Sequence, residues 1–525
     1  MKNIWHILAC AALLMLASCN ALTLEPDFST PDYSYKTEDE VETALIGTYN
    51  ALMGRYNRLY NGPIYTFLSV SDEFFYRSYQ PAQDVRIYSF DASDVEIQKL
   101  WAGLYQCISR ANYLLYYTDK SGLDTDVVKT YVGEAKFLRA YCYFLLVTHF
   151  GSVPMPLKPT FSPDSRYFLP QSSIADIYTQ IEKDMKEAEA TVSDITELSV
   201  NERISKTGVQ AMLARVYMSM AGEPLMDVDR YQDAADYCEK VISSGKHSLN
   251  PVYEKIFINH IQNVSEPKEC IWEIAAHGNN LDGSTQAGQL GIENGISCIN
   301  EDVGYSNGSI RITQKLWDSF MPEGDLRRDW CVASYYYKQR SNDSDEVDKV
   351  DWADTKIMER NPGKWRREYE QGSKAKSFNA TNFPAIRYAD VLLMKAEAIN
   401  AVRRGPNYEA YMLVNMVRRR AAGLPVDQPS TQVDLEETLN EATFLSVVKK
   451  ERMAELCFEG VRKLDLVRWG ELVENVREMG QTLKEYFPNN SYYLVGANIS
   501  ERNVLFPIPT AEYSMNKSIV QNKGW

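Results

Sequence analysis

Apolar residues recur at steps of three and four along two neighbouring stretches near the middle of the chain, 203–222 and 230–244. Each set falls on one face of a helix with a 3.6-residue period. Gly222 and Pro224 stand between the stretches, where the first helix should end. The pattern predicts two amphipathic helices folded back on each other. The apolar positions are Val209, Met212, Leu213, Val216, Tyr217 and Met220 in the first helix, and Tyr231, Ala234, Ala235, Cys238, Val241 and Ile242 in the second.

A second helix pair is predicted over 387–423, with Gly405 and Pro406 in its turn. Helix pairs of about 34 residues, with Ala and Tyr at the packing positions, are typical of tetratricopeptide-like arrays. One pair cannot bury its own apolar face, so we expect further pairs elsewhere in the chain. Fewer than three clean repeats are visible, and an ordinary helical bundle is the alternative.

The first residues have the features of a bacterial leader. A single lysine is followed by an apolar run that is too short to span a membrane and that ends in Leu16-Ala17-Ser18-Cys19. This ending is typical of a lipobox, in which small residues precede the cysteine that becomes the lipidated N-terminus. We predict a signal peptide over 1–18, lipidation at Cys19 and a tether over 19–36; a plain secretory signal is the alternative. The residue after Cys19 is not Asp, so retention in the inner membrane is not signalled.

The composition fits a folded, exported protein. The chain carries 56 Lys and Arg against 71 Asp and Glu, a net charge of −15, which argues against nucleic acid as a partner. Its 34 tyrosines and nine tryptophans suit sugar binding, because flat aromatic faces stack on the C–H faces of sugar rings. Of nine cysteines, two lie in the leader region and the other seven are scattered without a CxxC spacing. We therefore expect buried free thiols and no disulfide framework.

The helical pattern breaks between about 259 and 384, the segment that we call the lobe. Its middle is rich in Gly, Asn, Asp and Ser, which favour turns, and loops of such length are usually functional or disordered. Loops carry function when a rigid scaffold holds them, so we expect much of the ligand site here, with contributions from 68–100. Aromatic residues in and after these loops are Tyr305, Trp317, Trp330, Tyr335, Tyr336, Tyr337, Trp352 and Trp365.

A series of motifs spans nearly the whole chain behind the leader. In order, they are Trp101-x3-Tyr105-x2-Ile108-x2-Ala111-Asn112; Gly133 to Tyr141, running into Phe150-Gly151-x-Val153-Pro154; Ser205-Lys206 to Tyr217; Arg387-Tyr388-Ala389-Asp390 to Asn400; Glu451-Arg452 to Gly470; Leu505 to Pro509; and Gln521-Asn522-x-Gly524. Together these motifs resemble those of the SusD/RagB-like outer-membrane nutrient-binding lipoproteins. The chain departs from the family pattern at Val461 and at Lys463-Leu464, which we interpret as tolerated packing changes.

The resemblance implies a single, mostly helical domain over 37–525. Tetratricopeptide-like helix pairs over about 37–258 and 385–525 would form the scaffold, and the irregular lobe would carry ligand binding. Members of the family sit on the outside of the outer membrane over a SusC-like TonB-dependent transporter. They capture an oligosaccharide, less often a peptide, deliver it to the transporter and are not enzymes. The resemblance thus predicts a lipid-anchored, surface-facing glycan-binding protein without catalytic residues or a cofactor.

Six residues are predicted to bind the glycan, and they fall in four places. Tyr305 lies in a Gly/Asn loop and Trp352 in a charged loop, whereas the stretch around Trp330 also resembles a framework element of the family. Asp72 is a hydroxyl acceptor by resemblance, because the loop after this motif contributes to the glycan site in family members. The full set is Asp72, Tyr76, Tyr79, Tyr305, Trp330 and Trp352; Trp317 is expected in the core, and Trp101, Trp272 and Trp469 in the framework.

Two other functions stay open as alternatives. A tetratricopeptide-like adaptor would bind a peptide or protein on its helical face. A glycoside hydrolase needs two carboxylates about 5 to 10 Å apart in a cleft, and no local motif nominates such a pair. Glu451 and Glu455 share one face of a predicted helix, and we interpret them as part of a structural ion-pair network.

Other chemical patterns in the chain are weak. The run 304–308 matches GxSxG, but in that motif the catalytic His follows the Ser, and the last His here is His277. We interpret the run as a Gly/Asn turn. The acidic stretch 341–351 lacks the Gly and Glu of an EF-hand loop, so calcium is not indicated and a solvated loop is expected. The five histidines are scattered, so we expect no His-based metal site.

Overall fold

The computed structural model describes residues 35–53, 59–60, 70–80, 82–160, 168–278, 287–342, 344–372, 374 and 376–525. The predicted signal peptide, the lipidation site at Cys19 and all but the end of the predicted tether lie outside the described residues. Within them the chain is mostly helical and carries four two-stranded antiparallel sheets.

The elements are numbered here in chain order. The helices are α1 (Glu38–Met53), α2 (Val95–Ser121), α3 (Asp126–Phe150), α4 (Ile174–Thr191), α5 (Lys206–Ala221), α6 (Arg230–Ser243), α7 (Tyr253–Ile261), α8 (Leu290–Asn294), α9 (Gln314–Ser319), α10 (Leu326–Cys331), α11 (Tyr388–Arg403), α12 (Tyr408–Ala421), α13 (Glu441–Leu456), α14 (Arg462–Arg468), α15 (Leu472–Tyr486), α16 (Leu494–Asn498) and α17 (Thr510–Met515). The strands are β1 (Phe74–Tyr76), β2 (Val153–Pro154), β3 (Gln171–Ser172), β4 (Cys270–Ile274), β5 (Ile310–Ile312), β6 (Tyr335–Gln339), β7 (Val347–Asp351) and β8 (Phe383–Arg387).

The long helices pack one after another in a row. Each of α1 to α5 packs against the next helix in the chain, and α11 packs against α12 and α13. Helices α5 and α6 form the first predicted pair, and α11 and α12 form the second. The row is continuous, because α6 also packs against α11, although 244–387 lies between them in the chain. The predicted tetratricopeptide-like scaffold is thus confirmed.

Helix α3 is the centre of the first half of the scaffold. It packs against α1, α2, α4 and α5, and nearly every side chain from Gly133 to Val147 is buried. A helix that is apolar nearly all round must be covered on all sides to be stable in water. The Thr125 hydroxyl caps its first turn by accepting from Val128 N, and Gly151 ends it with a φ of 70°.

The sheet formed by β4 and β8 brackets most of the lobe. The two strands run antiparallel, with Cys270 opposite Arg387 at one end and Ile274 opposite Phe383 at the other. All ten of their residues are buried. Strand β8 runs directly into α11. Because β4 and β8 are paired, the segment 275–382 begins and ends at the same end of this sheet.

A buried ion-pair network, which we call the Glu455 cluster, joins the lobe to the scaffold. The fully buried Glu455 carboxylate accepts hydrogen bonds from Arg327 of α10, Arg387 of β8 and Arg420 of α12, at 3.3, 3.1 and 2.7 Å. Burial alone would raise the pKa of Glu455, but the guanidinium groups outweigh it and lower the pKa to about 2. The interpretation of Glu451 and Glu455 as members of a structural network is confirmed.

Cysteines and framework tryptophans follow the expectations from the sequence. All seven cysteines in the described residues are buried and free. Trp272 is fully buried and Trp101 nearly so, while Trp317 and Trp469 are half-buried against the core.

Two predicted loops are instead partly strands. Residues 74–76 pair with 310–312 as β1 and β5, and all three residues of β1 are buried. In the charged stretch after 346, residues 347–351 pair with β6 as strand β7. The sequence pattern missed these strands because each is short and is completed by a partner elsewhere in the chain.

Candidate functional site

The structure divides the six predicted glycan-binding residues into buried and half-buried sets. Asp72 is fully buried, and its two carboxylate oxygens accept hydrogen bonds from Arg462 Nε and Nη2 at 2.8 and 2.9 Å. Burial would raise the pKa of Asp72, but the Arg462 guanidinium outweighs it, so the pKa lies below its usual range. A carboxylate enclosed in this way cannot reach a sugar hydroxyl. The prediction for Asp72 is wrong, and its role is structural.

Tyr76 and Trp330 are also enclosed. Tyr76, 2% exposed, lies in β1 with the Arg86 guanidinium 5.4 Å from its ring centroid. Trp330, 4% exposed, ends α10 and is covered by Arg366, whose guanidinium lies 4.4 Å from the ring centroid. Neither ring offers a face to a ligand, so these two predictions are corrected as well. The framework resemblance noted for Trp330 agrees with its place in the core.

Trp352 lies at the end of the β6–β7 hairpin and pairs with Tyr336. The two ring centroids are 4.4 Å apart at an angle of 39°, and both side chains are half-buried. Trp352 N donates to Ser334 O at 2.8 Å, which fixes the residue just beyond the last ladder pair. We call Tyr336 and Trp352 the aromatic pair.

Alternation along β6 explains why Tyr336 is available and its neighbours are not. Tyr335 and Tyr337 point to the other face of the strand, where both hydroxyls donate to the Glu368 carboxylate. Tyr336 then faces away from that anchor. The sequence analysis named Tyr336 among the aromatics but not among the binding residues; a period of two within the three consecutive tyrosines is the signal that would have found it.

Tyr305 sits half-buried in a loop, 298–308, that is tied to the same hairpin. The Asn300 side-chain amide donates to Asp345 O at 3.0 Å, across to the tip of the hairpin. Arg367 donates to Tyr305 O, and the Lys376 ammonium lies 5.6 Å from the Tyr305 ring centroid. Gly304 permits this packing, because a Cβ there would lie 2.9 Å from the Arg367 carbonyl carbon.

Tyr79 follows β1, which pairs with β5, the strand that follows the Tyr305 loop. Arg77 N donates to Ser309 O at 3.0 Å, which extends the β1–β5 ladder by one step. From this step the segment after Arg77 continues to Tyr79, and the segment before Ser309 leads back to Tyr305. Tyr79 is half-buried, and burial raises the pKa of its hydroxyl although Ser491 hydrogen-bonds to it. The described residues thus keep Tyr79, Tyr305 and Trp352 as candidates and add Tyr336.

The GxSxG run is a short loop in which Ser306 pairs with Cys298 in an isolated antiparallel bridge. Ser306 is 3% exposed, and its hydroxyl donates to Ile292 O at 2.9 Å and accepts from Gly308 N at 3.2 Å. Both hydrogen bonds stabilise the loop that presents Tyr305. This geometry fits the interpretation as a turn.

The hairpin tip is acidic and exposed. Arg340 pairs with Glu346 at 2.7 Å and with Asp348 at 2.8 Å, so these carboxylates neutralise a cation of the same hairpin. Around the aromatic pair, the hairpin offers two half-buried rings, with Val350 opposite Tyr336 in the ladder. Such a surface can stack on a flat apolar face.

Two cavities among the described residues lie away from this surface. One, of about 660 Å³, opens between the ends of α2, α3 and α4. The other, of about 410 Å³, lies between α1 and β4 and is lined by Glu202, Trp272 and Glu273. Neither cavity is lined by a residue of the aromatic pair. None of the described helices has the length and hydropathy needed to cross a bilayer.

Two protein-family models match the chain. The model described as "SusD family" matches residues 268–525, and the model described as "Starch-binding associating with outer membrane" matches residues 22–218. The two matches follow each other along the chain and include both the scaffold and the lobe.

Known proteins match over most of their length. "SusD-like protein P38" of Formosa agariphila is 26% identical, over 88% of this chain and 90% of its own. "Starch-binding protein SusD" of Bacteroides thetaiotaomicron is 24% identical, over 83% of this chain and 80% of its own. Among solved structures, a SusD homologue from Bacteroides thetaiotaomicron superposes with a TM-score of 0.84 at 26% identity, covering 93% of this chain and 97% of that one. A structure described as a laminarin-binding SusD-like protein shares the fold, with a TM-score of 0.69 at 23% identity over 93% of this chain and all of that one.

The helical row with an inserted lobe, the order of the motifs, the family models and the relatives all agree. This chain belongs to the SusD/RagB family.

Proposed function

We propose that this protein is a cell-surface glycan-binding lipoprotein that captures an oligosaccharide on its lobe and delivers it to a SusC-like TonB-dependent transporter. The observation that carries the proposal is the aromatic pair: two half-buried rings packed against each other at the edge of a hairpin, in a family with starch-binding relatives. Its binding partner in this proposal is the C–H face of a sugar ring.

The aromatic pair suits a sugar because its geometry is fixed before binding. Glu368 anchors the hairpin from the opposite face through two tyrosine hydroxyls, and Ser334 O holds the backbone of Trp352. A platform that is already ordered loses little conformational entropy when a ring stacks on it. Because each stacking contact is modest, we expect dissociation constants on the order of micromolar to millimolar.

Membrane attachment is proposed through Cys19. The lipobox supports it, and so does the position of the first described residues. Tyr35, sixteen positions after Cys19, stacks on Tyr117 of α2, with centroids 5.3 Å apart at an angle of 13°. The tether would therefore reach the folded domain at α2, far along the chain from the aromatic pair.

The test is glycan binding by the chain from residue 20 onward, first on an array of plant, host and microbial glycans and then by calorimetry on the hits. We expect Trp352→Ala and Tyr336→Ala each to weaken binding at least tenfold without lowering the melting temperature by more than a few degrees. Tyr305→Ala should weaken it less, because its ring is partly covered by Lys376. Tyr408→Ala is the matched control, since Tyr408 is 64% exposed on α12, outside the lobe.

The opposite results are equally specific. If both variants of the aromatic pair bind the glycan as tightly as the parent, the binding site lies elsewhere on the protein. Binding of peptides and of no glycan would favour the adaptor, and release of shortened sugars from a hit would favour a glycoside hydrolase.

A further inference from the structure

Three residues with metal-binding side chains meet in the interior, at the root of the lobe. His260 lies in the last turn of α7, and Cys270 and Glu273 lie in β4. One ligand atom from each, a ring nitrogen, the thiol sulfur and a carboxylate oxygen, all lie within 4.8 Å of one another. All three side chains are buried, at 2%, 2% and 1% exposure. We call them the His260 cluster; it is far from the aromatic pair in the chain.

The histidine has no satisfactory hydrogen bond of its own. Its Nδ1 lies 2.6 Å from a Glu273 oxygen, close enough for an ion pair. Yet neither ring nitrogen makes a hydrogen bond of acceptable geometry within the described part of the chain. Buried polar groups are nearly always paired, so a buried imidazole in this state calls for an explanation. A bound cation would supply the missing partner.

The other donors are held ready around this imidazole. The Cys270 thiol lies 3.9 Å from the same Glu273 oxygen. The second Glu273 oxygen accepts from Asn382 Nδ2 at 3.1 Å, which orients the carboxylate. Hydrogen bonds from outside the donor set are the usual way in which proteins fix the geometry of metal ligands.

A fourth donor stands beside the cluster. Glu202 lines the 410 Å³ cavity together with Glu273, and its Oε2 is buried without a partner among the described residues. Residues 201 and 202 are fixed against β4, because Trp272 Nε1 donates to Glu202 O at 3.1 Å and Asn201 Nδ2 donates to Cys270 O at 2.9 Å. The cavity also gives an ion a path from solvent to Glu273.

The charge in this region favours a cation. Glu202 and Glu273 are both acidic and line the same cavity. A divalent ion would relieve this crowding of carboxylates and stabilise the thiolate.

We propose that His260, Cys270 and Glu273 bind a Zn²⁺ ion, with Glu202 as the fourth ligand. Zn²⁺ is the divalent ion that accepts sulfur, imidazole nitrogen and carboxylate oxygen in one tetrahedral set. Binding replaces the thiol proton, which goes to solvent, and inserts the ion between His260 and Glu273, so that the 2.6 Å contact opens. Because His260, Cys270 and Glu273 are buried and only Glu202 is partly exposed, we assign the site a structural role. It fastens α7 to β4 at the place where the lobe leaves the scaffold.

The test uses Zn²⁺ alone, added to the metal-stripped chain from residue 20 onward and followed by calorimetry. We expect one Zn²⁺ per chain and a melting temperature that rises on binding. Co²⁺ in place of Zn²⁺ should give the near-ultraviolet thiolate charge-transfer band of a cysteine ligand. Cys270→Ser should abolish that band, and His260→Gln should weaken Zn²⁺ binding at least tenfold. His277→Gln is the matched control, because His277 is exposed at the same cavity but outside the cluster.

The proposal fails if Zn²⁺ does not bind, if Co²⁺ binds without the thiolate band, or if His277→Gln removes binding while Cys270→Ser does not. Should a cluster variant misfold, X-ray absorption at the zinc edge of the unaltered chain decides the matter. One sulfur and two or three nitrogen or oxygen neighbours support the site, and a shell without sulfur overturns it.

Discussion

Two neighbouring acidic residues, Asp72 and Glu73, differ in their charged partners. Both are buried, but Arg462 pairs with both oxygens of Asp72, whereas the hydrogen bond to Glu73 among the described residues comes from Phe458 N, at 3.3 Å. Burial raises the pKa of Glu73 to about 8, and the charge of Arg462 opposes this only in part. Glu73 is therefore protonated at neutral pH, next to an ionised Asp72.

This difference predicts a pH dependence of stability. In the unfolded chain Glu73 loses its proton near pH 4.5, but in the folded chain it keeps it up to about pH 8. Between these values the folded state binds more protons, so the free energy of unfolding falls as pH rises, by about 1.4 kcal/mol per unit. Glu73→Gln removes this loss. Urea unfolding should show the variant near the parent at pH 5 and more stable by on the order of 2 to 4 kcal/mol at pH 8.

Because the comparison is made between variant and parent, other groups that titrate in the window cancel. Lys463 is one of them, since burial lowers its pKa to about 7. Parallel profiles for the two proteins from pH 5 to 8 would contradict the prediction.

At this scale the sequence predicts side-chain types better than side-chain surroundings. An Asp beside aromatic residues looks like a sugar ligand, but its arginine lies 390 positions away and is brought in by α14. Cys270 and Glu273 looked ordinary for a similar reason, because His260 joins them only when α7 packs on β4. Trp352 and Tyr305 were easier to foresee, because loop residues need no distant partner to stay partly exposed.

Among the elements, α15 and α16 come unusually close at two glycines. A Cβ added to Gly480 would lie 2.6 Å from Gly496 Cα, closer than real atoms approach. The obstacle is backbone, which cannot rotate away as a side chain can. The two helices therefore touch backbone to backbone, beneath the aromatic contacts of Phe487 and Tyr492 with Phe75 in β1.

We expect Gly480→Ala to lower the free energy of unfolding by about 1 to 3 kcal/mol, the usual cost of forcing atoms into a packed contact. Gly47→Ala is the matched control, since Gly47 is also inside a helix but has nothing within 4 Å of the added Cβ. The control should be neutral or more stable by up to about 1 kcal/mol, because alanine favours helix. Equal effects in chemical denaturation would mean that the close approach costs nothing.

Helices were predictable from the chain alone, and the short strands were not. The stripes of α5, α6, α11 and α12 repeat over several turns, so each helix carries its own signal. Strand β7 is charged at Asp348, Lys349 and Asp351 and gains its place only by pairing with the tyrosines of β6. A strand whose stability resides in its partner leaves little mark on its own residues.

In the whole molecule, the Glu455 cluster makes lobe and scaffold one unit. Glu455 comes from α13 of the scaffold, while Arg327 comes from α10 of the lobe and Arg387 from the end of β8. All three side chains are fully buried. A pair buried in this way stabilises little beyond an apolar contact, but losing one member leaves uncompensated charge.

We expect Glu455→Gln to lower the free energy of unfolding by about 3 to 5 kcal/mol, because three buried arginines lose their shared carboxylate. Glu346→Gln is the matched control: its partner Arg340 is exposed, and the cost should be at most about 1 kcal/mol. Fluorescence of the lobe tryptophans and circular dichroism of the scaffold helices should still change together in the parent protein. A lobe that unfolds separately, or a Glu455→Gln variant as stable as its control, would contradict this account.

The ribbon of β4 and β8 has a consequence for how such a protein can change. It makes residues 275–382 an insertion whose two ends meet, so the length and shape of what lies between them are not fixed by the row of helices. A different lobe could be grafted onto the same two strands, provided that it carried its own arginine for Glu455. Under the function proposed above, new ligand preferences can arise by exchange of this insertion, while the surfaces of the helical row stay unaltered.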